Sequence, residues 1–379
     1  MKILKSTLLL LLIYSQSSCK NFAPQDMATQ SSSSNTGRSA SRLTLSDFQK
    51  GSTRCYDRRK NEPRAVVDAH LHARPFGGPP VPFPSLLDFV RNNGVLFTAI
   101  YGIGQRLPTD SSCTYYLNCL GTPALPSIKN DFFNAQSILD AKPEDIKIVL
   151  SMTFPDLSKP EEILPQMNLL DKEFPGMFRW MGEVNLVKQA LFNNGHTAIA
   201  ADLLPRWKPF MDELLKRKIP IAIHSDLGND DEPEKYKNLM DSVLSSYPEN
   251  RIVWMHLGLS KELKRLDHKK QIAVLESYLQ KNRNLYFDLS WRVLYDQIFS
   301  QPEFEPLYID LLNRWPDRFI PGTDFVAAAG KTEKIYAEEL RLTSAILGKV
   351  NDEAYRRIAL GQNFFELAGL EAVAPQVCR

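Results

Sequence analysis

Eight short runs rich in apolar and β-branched residues recur along this chain of 379 residues, most of them separated by stretches with apolar residues at helical spacing. The runs cover residues 65–72, 95–101, 145–153, 178–184, 219–224, 251–256, 285–289 and 318–324. Segments 85–92, 203–217, 235–246, 269–280 and 306–314 carry the helical period, 333–347 and 352–367 read as closing helices, and Gly369 marks a stop. Strands that alternate with helices build a parallel sheet whose faces the helices cover. Eight such units imply closure, so the expected fold is α/β, a (β/α)8 TIM barrel, with an open doubly wound sheet as the runner-up. A barrel also places every strand's C-terminal end on one rim, where catalytic groups collect.

That rim is where the chemistry of the sequence falls. Of six histidines, four end predicted strands: His70 and His72 on the first, His224 on the fifth, His256 on the sixth. Residues two apart on a strand share a face, so His70 and His72 present their rings side by side. Glu183 lies at the end of the fourth strand and Asp324 closes the eighth. His196 and His268 stand in polar contexts and read as surface residues. Imidazole and carboxylate donors without convergent cysteines suit Zn²⁺, with Mn²⁺ and Fe²⁺ as the alternatives. Such an ion makes a water acidic enough to attack an electrophile at neutral pH. Asp324 is the candidate to take its proton, and His256 to position substrate or stabilise a developing oxyanion.

The ends of the chain speak to compartment. Lys2 and Lys5 precede an apolar run over 8–13 that is too short to span a bilayer, so residues 1–18 read as a signal peptide. Ser15-Gln16-Ser17-Ser18-Cys19 resembles a bacterial lipoprotein cleavage site, with Gln16 where an apolar residue is usual, and makes Cys19 the candidate lipidation site. Residues 19–60, rich in Ser, Thr, Asn and Gln, read as a flexible tether, and 61–379 as the barrel domain. An exported chain implies a periplasmic or outer-membrane-anchored protein. There, four further cysteines invite disulfides: Cys113 with Cys119, pinning a loop, and Cys55 with Cys378, joining the domain's ends. Four reduced thiols are the alternative. With 46 Lys and Arg against 44 Asp and Glu, no basic footprint for nucleic acid stands out. The only membrane contact expected is the lipid anchor.

The run Val67-Asp68-Ala69-His70-Leu71-His72 resembles the first-strand motif of the amidohydrolase superfamily of metal-dependent hydrolases. The resemblance extends from about residue 64 to residue 370, through His224 in Ile-Ala-Ile-His-Ser, His256 in Val-Trp-Met-His-Leu-Gly, Asp324 in Pro-Gly-Thr-Asp-Phe, and the tail over 358–367. Among the branches it is most similar to the amidohydrolase-related group, which also contains decarboxylases. It implies one or two divalent ions. In mononuclear relatives the first-strand pair, the fifth-strand His and the eighth-strand Asp hold one ion. Binuclear relatives add the sixth-strand His and a bridging residue on strand four, here Glu183, whose other reading is a substrate contact or an arginine partner.

Around the rim, Arg74, Arg106 and Arg292 are candidates to clamp an anionic group of a small-molecule substrate, or else to pair with Asp226 or Asp230. Trp291, Tyr101, Phe76 and Phe325 are candidates for an apolar pocket. The long segment 102–139 after the second strand reads as an irregular lid. The expected activity is hydrolysis of an amide, ester or lactone. Decarboxylation and phosphoester hydrolysis follow, and a binding protein on a degenerate barrel comes last.

Overall fold

The computed structural model describes residues 42–378. The proposed signal peptide, Cys19 and most of the tether lie outside the described residues. The core is a curled, wholly parallel sheet of nine strands: β1 (Val67–His72), β2 (Phe97–Tyr101), β3 (Lys147–Met152), β4 (Phe178–Val187), β5 (Ile221–Ser225), β6 (Ile252–Trp254), β7 (Leu285–Asp288), β8 (Phe319–Ile320) and β9 (Phe325–Val326). Every residue of β1, β2 and β5 is buried. Burial on both faces explains why these strands read as continuous apolar runs rather than alternating ones.

The strand order is β8-β7-β6-β5-β4-β3-β2-β1-β9. Its two end strands are successive parts of one stretch, broken by Pro321 and Gly322. The first part pairs with β7 and the second with β1, and the residues between them bond β1 as well: Ala69 N donates to Pro321 O (2.9 Å) and Asp324 N to His70 O (2.8 Å). The sheet therefore curls back on itself in a manner consistent with a TIM-like barrel. Asp68 fixes the junction, accepting from Thr323 N (2.9 Å), Thr323 Oγ1 (2.8 Å) and Tyr336 Oη (3.1 Å).

Helices fill the intervals: α1 (Phe83–Asn92), α2 (Lys129–Ala141), α3 (Ile163–Glu173), α4 (Lys208–Arg217), α5 (Lys237–Ser246), α6 (His268–Lys281), α7 (Glu305–Arg314), α8 (Glu333–Ser344), α9 (Asp352–Ile358) and α10 (Gln362–Ala368). Three expectations need correction. The helix expected over 203–217 is α only from Lys208, because Pro205 and Pro209 hold the preceding turns in 3-10 form. The single tail helix is two, since Gly361 at φ +90° breaks it, and an added Cβ there would meet Val67 Cγ2 at 2.4 Å. The segment 102–139 is not structureless: it holds most of α2, a short antiparallel pair (Gln105–Arg106 with Leu125–Pro126), and Leu107 and Tyr116, which join Phe76 in a small apolar cluster.

The packed region also begins before residue 61. Phe48 lies 5.0 Å from the Phe97 ring centroid and 5.8 Å from that of Phe365, and Cys55–Tyr56 pairs in parallel with Gln376–Val377. Cys55 is joined to Cys378 across 323 residues, and Cys113 to Cys119 inside the 102–139 segment. Closing so long a loop restricts the unfolded chain strongly. Replacing Cys55 and Cys378 by Ser is expected to lower stability by about 2–4 kcal/mol, seen as a lower denaturation midpoint. An unchanged midpoint would show that the link contributes nothing.

Candidate metal centre

Six side chains on the strands and the turns that follow them meet in one largely buried cluster. His70 and His72 stand with their Nε2 atoms 3.0 Å apart. Asp324 Oδ1 lies 3.2 Å from His72 Nε2 and 3.5 Å from His70 Nε2. Glu183 Oε2 faces this pair at 3.7 Å from His72 Nε2 and 3.9 Å from His70 Nε2. Its other oxygen, Oε1, contacts His224 Nδ1 and lies 3.5 Å from His256 Nε2. One carboxylate thus offers one oxygen to each pair of histidines. Three sets could each surround an ion: His70, His72 and Glu183; Glu183, His224 and His256; His70, His256 and Asp324.

Each imidazole has one nitrogen committed outward. His72 Nδ1 donates to Gly102 O (2.6 Å), and His224 Nε2 to Asp226 Oδ1 (2.9 Å). His70 Nδ1 meets Asp288 Oδ2 (3.2 Å) and Ser290 Oγ (2.8 Å). His256 Nδ1 lies 3.3 Å from both Ser290 O and Asp288 Oδ1, and its main-chain N donates to Asp288 Oδ1 (2.8 Å). Outward acceptors hold one ring nitrogen of each histidine and turn the other toward the cluster. Four ring nitrogens and two carboxylates then converge, and His256 Nε2 is buried there without a hydrogen-bond partner. Two such nitrogens 3.0 Å apart repel each other unless a cation lies between them. The donor set fits one or two divalent ions with an open side.

Charge in the cluster tells the same story. Burial disfavours the charged form of Glu183, yet the Lys188 ammonium and His224 hold its carboxyl well below the usual range. Burial likewise opposes the Asp324 carboxylate, but His70, His72 and His256 keep its pKa at about 2. His256 is pushed up to about 10, against its burial, by Asp288 and Glu183. The cluster therefore attracts positive charge. Lys188 Nζ, 3.0 Å from Glu183 Oε1, supplies part of it.

The local backbone is unusual. Of six non-glycine residues at positive φ among the described residues, Lys142 and Lys218 cap helices, and the other four are His256 (+55°), Leu257 (+55°), Trp291 (+83°) and Asp324 (+57°). Strain of this kind gathers where a site needs it. Gly182, at φ +107°, precedes Glu183, and a Cβ there would sit 2.1 Å from Ala222 O. Only glycine lets β4 approach β5 this closely and keep Glu183 between the histidine pairs.

A cavity of about 570 Å³ opens above the cluster, reaching His72, Glu183, His224, His256 and Asp324 and walled by Phe76, Tyr115, Tyr116 and Trp291. The other rim candidates separate. Arg292 lines the cavity, 3.4 Å from Asp296. Arg74 does not: its guanidinium is held on α2 by Ser137 Oγ (2.9 Å), Asn134 Oδ1 (3.3 Å) and Phe133 O (3.3 Å). Arg106, on its short strand, is also outside the cavity lining. Neither Asp226 nor Asp230 pairs with these arginines, since Asp226 holds His224 and Asp230 faces Arg265 (3.5 Å). Tyr101 and Phe325 are buried within the body of the sheet rather than in the cavity wall.

His196 and His268 are buried, contrary to their surface reading. His196 Nε2 accepts from Lys188 N (3.1 Å), and burial lowers its pKa to about 4. His268 stacks on Phe304 at 3.8 Å and bonds Tyr308 Oη (3.0 Å). Sequence reasoning passed over Asp288, Ser290 and Lys188. Asp288 had a signal, because it ends a predicted strand just as Asp324 does.

A curled parallel sheet with histidines and carboxylates gathered at its strand ends defines an α/β metal-dependent hydrolase. The family model described as amidohydrolase matches residues 157–360, more than half of the chain, and the protein belongs to that family. No curated protein matches. One solved structure shares the fold at low identity, and a second is similar. An amidohydrolase from Burkholderia multivorans with bound zinc is 13% identical, with 80% of this chain and 99% of that one covered at a TM-score of 0.51. A dihydroorotase from Campylobacter jejuni is 14% identical, with 81% and 84% covered at a TM-score of 0.48.

Proposed function

We propose that the protein is an exported hydrolase with a binuclear metal centre that cleaves an amide, ester or lactone of a small molecule, and that its curled sheet is a (β/α)8 barrel. The observation that carries the reading is Glu183, whose two oxygens face two separate histidine pairs. On this reading His70, His72 and Asp324 would hold one ion and His224 and His256 the other, with Glu183 facing both pairs. Bound ions would supply an acidified water and polarise the substrate carbonyl.

The chain's own groups do the rest. Asp324 Oδ1, at the cavity floor, takes the proton from the attacking water and returns it to the leaving group. Lys188 Nζ, which lines the cavity beside Glu183, offsets the negative charge that develops on the substrate oxygen. Trp291 and Tyr116 cover the acyl portion and keep bulk water from it. Export is supported by the Cys55–Cys378 and Cys113–Cys119 links, which persist in oxidising compartments. Among the described residues no helix is long and apolar enough to cross a membrane. Cys19 is the lipidation site on this reading.

The test is stoichiometry. Protein stripped with dipicolinate and reloaded with Zn²⁺ is expected to bind about two ions per chain by elemental analysis, with hydrolysis of an ester, lactone and amide panel returning as they bind. One ion at full activity would replace the bridge with a mononuclear site. No ion and no activity would favour the binding-protein reading.

A further inference from the structure

Four Lys and Arg side chains line the cavity. Lys188 is paired with Glu183, Arg292 lies 3.4 Å from Asp296 and Lys331 rests 4.6 Å from the Phe325 ring centroid, while Lys261 makes no direct ion pair among the described residues. Its Nζ donates to Tyr116 Oη (3.4 Å) and rests 5.8 Å from the Tyr116 ring centroid and 5.9 Å from that of Trp291. Glu262, its neighbour in the chain, also lines the cavity without a direct ion pair to it, and the Lys261 charge offsets part of the rise that burial imposes on the Glu262 carboxyl. An ammonium held between two aromatic faces is partly desolvated and keeps its remaining donors for a ligand.

Position gives this cation its meaning. The Trp291 ring centroid lies 5.0 Å from that of His256, and Lys261 Nζ lies 5.9 Å from the same ring. One indole therefore neighbours both Lys261 and the metal cluster. Trp291 adopts φ +83°, a conformation a bulky residue rarely takes, to put the ring there. Tyr116, the opposite wall, packs against Phe76 (4.7 Å) in the loop that the Cys113–Cys119 link closes.

We propose that Lys261, with Tyr116 and Trp291, forms an anion subsite that selects substrates bearing a carboxylate about one aromatic ring away from the scissile carbonyl. The inference rests on the hydrolase reading above and narrows its substrate class to planar or aromatic acyl compounds with a free acid group. The carboxylate takes the charge-assisted hydrogen bond that Lys261 leaves open, and the flat portion lies along Trp291.

Three ring compounds of one shape test it by calorimetry on the zinc-loaded protein: 4-carbamoylbenzoate, its neutral counterpart terephthalamide, and the cationic 4-(aminomethyl)benzamide. The carboxylate is expected to bind at least about 10-fold tighter than the neutral diamide, with the cation weakest. Lys261→Met should erase that preference at unchanged zinc content, and Lys261→Arg should restore most of it. The proposal is overturned if the carboxylate does not bind, if the cation binds best, or if the preference survives in Lys261→Met, which would place the carboxylate on the metal. Failure of the hydrolase reading looks different: no compound of the ester, lactone and amide panel turns over, whatever the binding order.

Discussion

Asp324→Asn is expected to lower turnover by about 10²–10⁴-fold while zinc content and the denaturation midpoint stay near those of the parent protein. The amide keeps the size of the side chain and an oxygen that can face His70 and His72. It cannot accept the water's proton. The backbone that carries it is independent of that change, because Asp324 N donates to His70 O and residue 324 is already held at φ +57° between β8 and β9. Steady-state rates on the best compound of the ester, lactone and amide panel, with metal analysis of the same samples, decide the matter. Full activity with metal retained would remove Asp324 from proton transfer.

The second large effect concerns Asp288, which touches no substrate. Its carboxylate, at the end of β7, is fully buried and reaches His70 through Oδ2 and His256 through Oδ1. The two rings hold its pKa far below the usual carboxylate range, against the effect of burial. Asp288→Asn places an amide NH₂ against groups that are themselves donors, so one ring must turn over its tautomer. A proton moved to His70 Nε2 or His256 Nε2 would point into the metal cluster and exclude the ion. Zinc affinity is expected to fall about 10–100-fold, measured by competition with a chromophoric chelator. Affinity within the parent range would show that Asp288 packs the site without orienting it.

Both residues end strands, yet only one drew notice from the sequence. Asp324 stood out because it closed a strand in the company of four histidines at matching ends. Asp288 ended a strand equally well, but the run Asp288-Leu289-Ser290-Trp291 drew attention to Arg292 instead. Arg74 shows the converse. Arg74 follows His72 by only two positions, but on the far side of the strand end its guanidinium finds α2 carbonyl and hydroxyl oxygens and never enters the cavity. His196 and His268 have polar neighbours in the chain, and only packing against Lys188 N and Phe304 takes them out of water.

What the sequence by itself determined is what repeats along the chain: alternating strands and helices, the period that sets which side chains share a face, and thus the gathering of His70, His72, Glu183, His224, His256 and Asp324 on one rim. Those features are local, and the period of a strand or helix is written into a few adjacent residues. What only the tertiary structure decided is which groups meet across the rim. The outward partners Gly102, Asp226, Asp288 and Ser290, the two-faced placement of Glu183, and the unpaired Lys261 between Tyr116 and Trp291 all depend on contacts between strands and loops far apart in the chain. Hydrogen bonds and charge act through space at about 3 Å, and no spacing along the chain encodes such a distance.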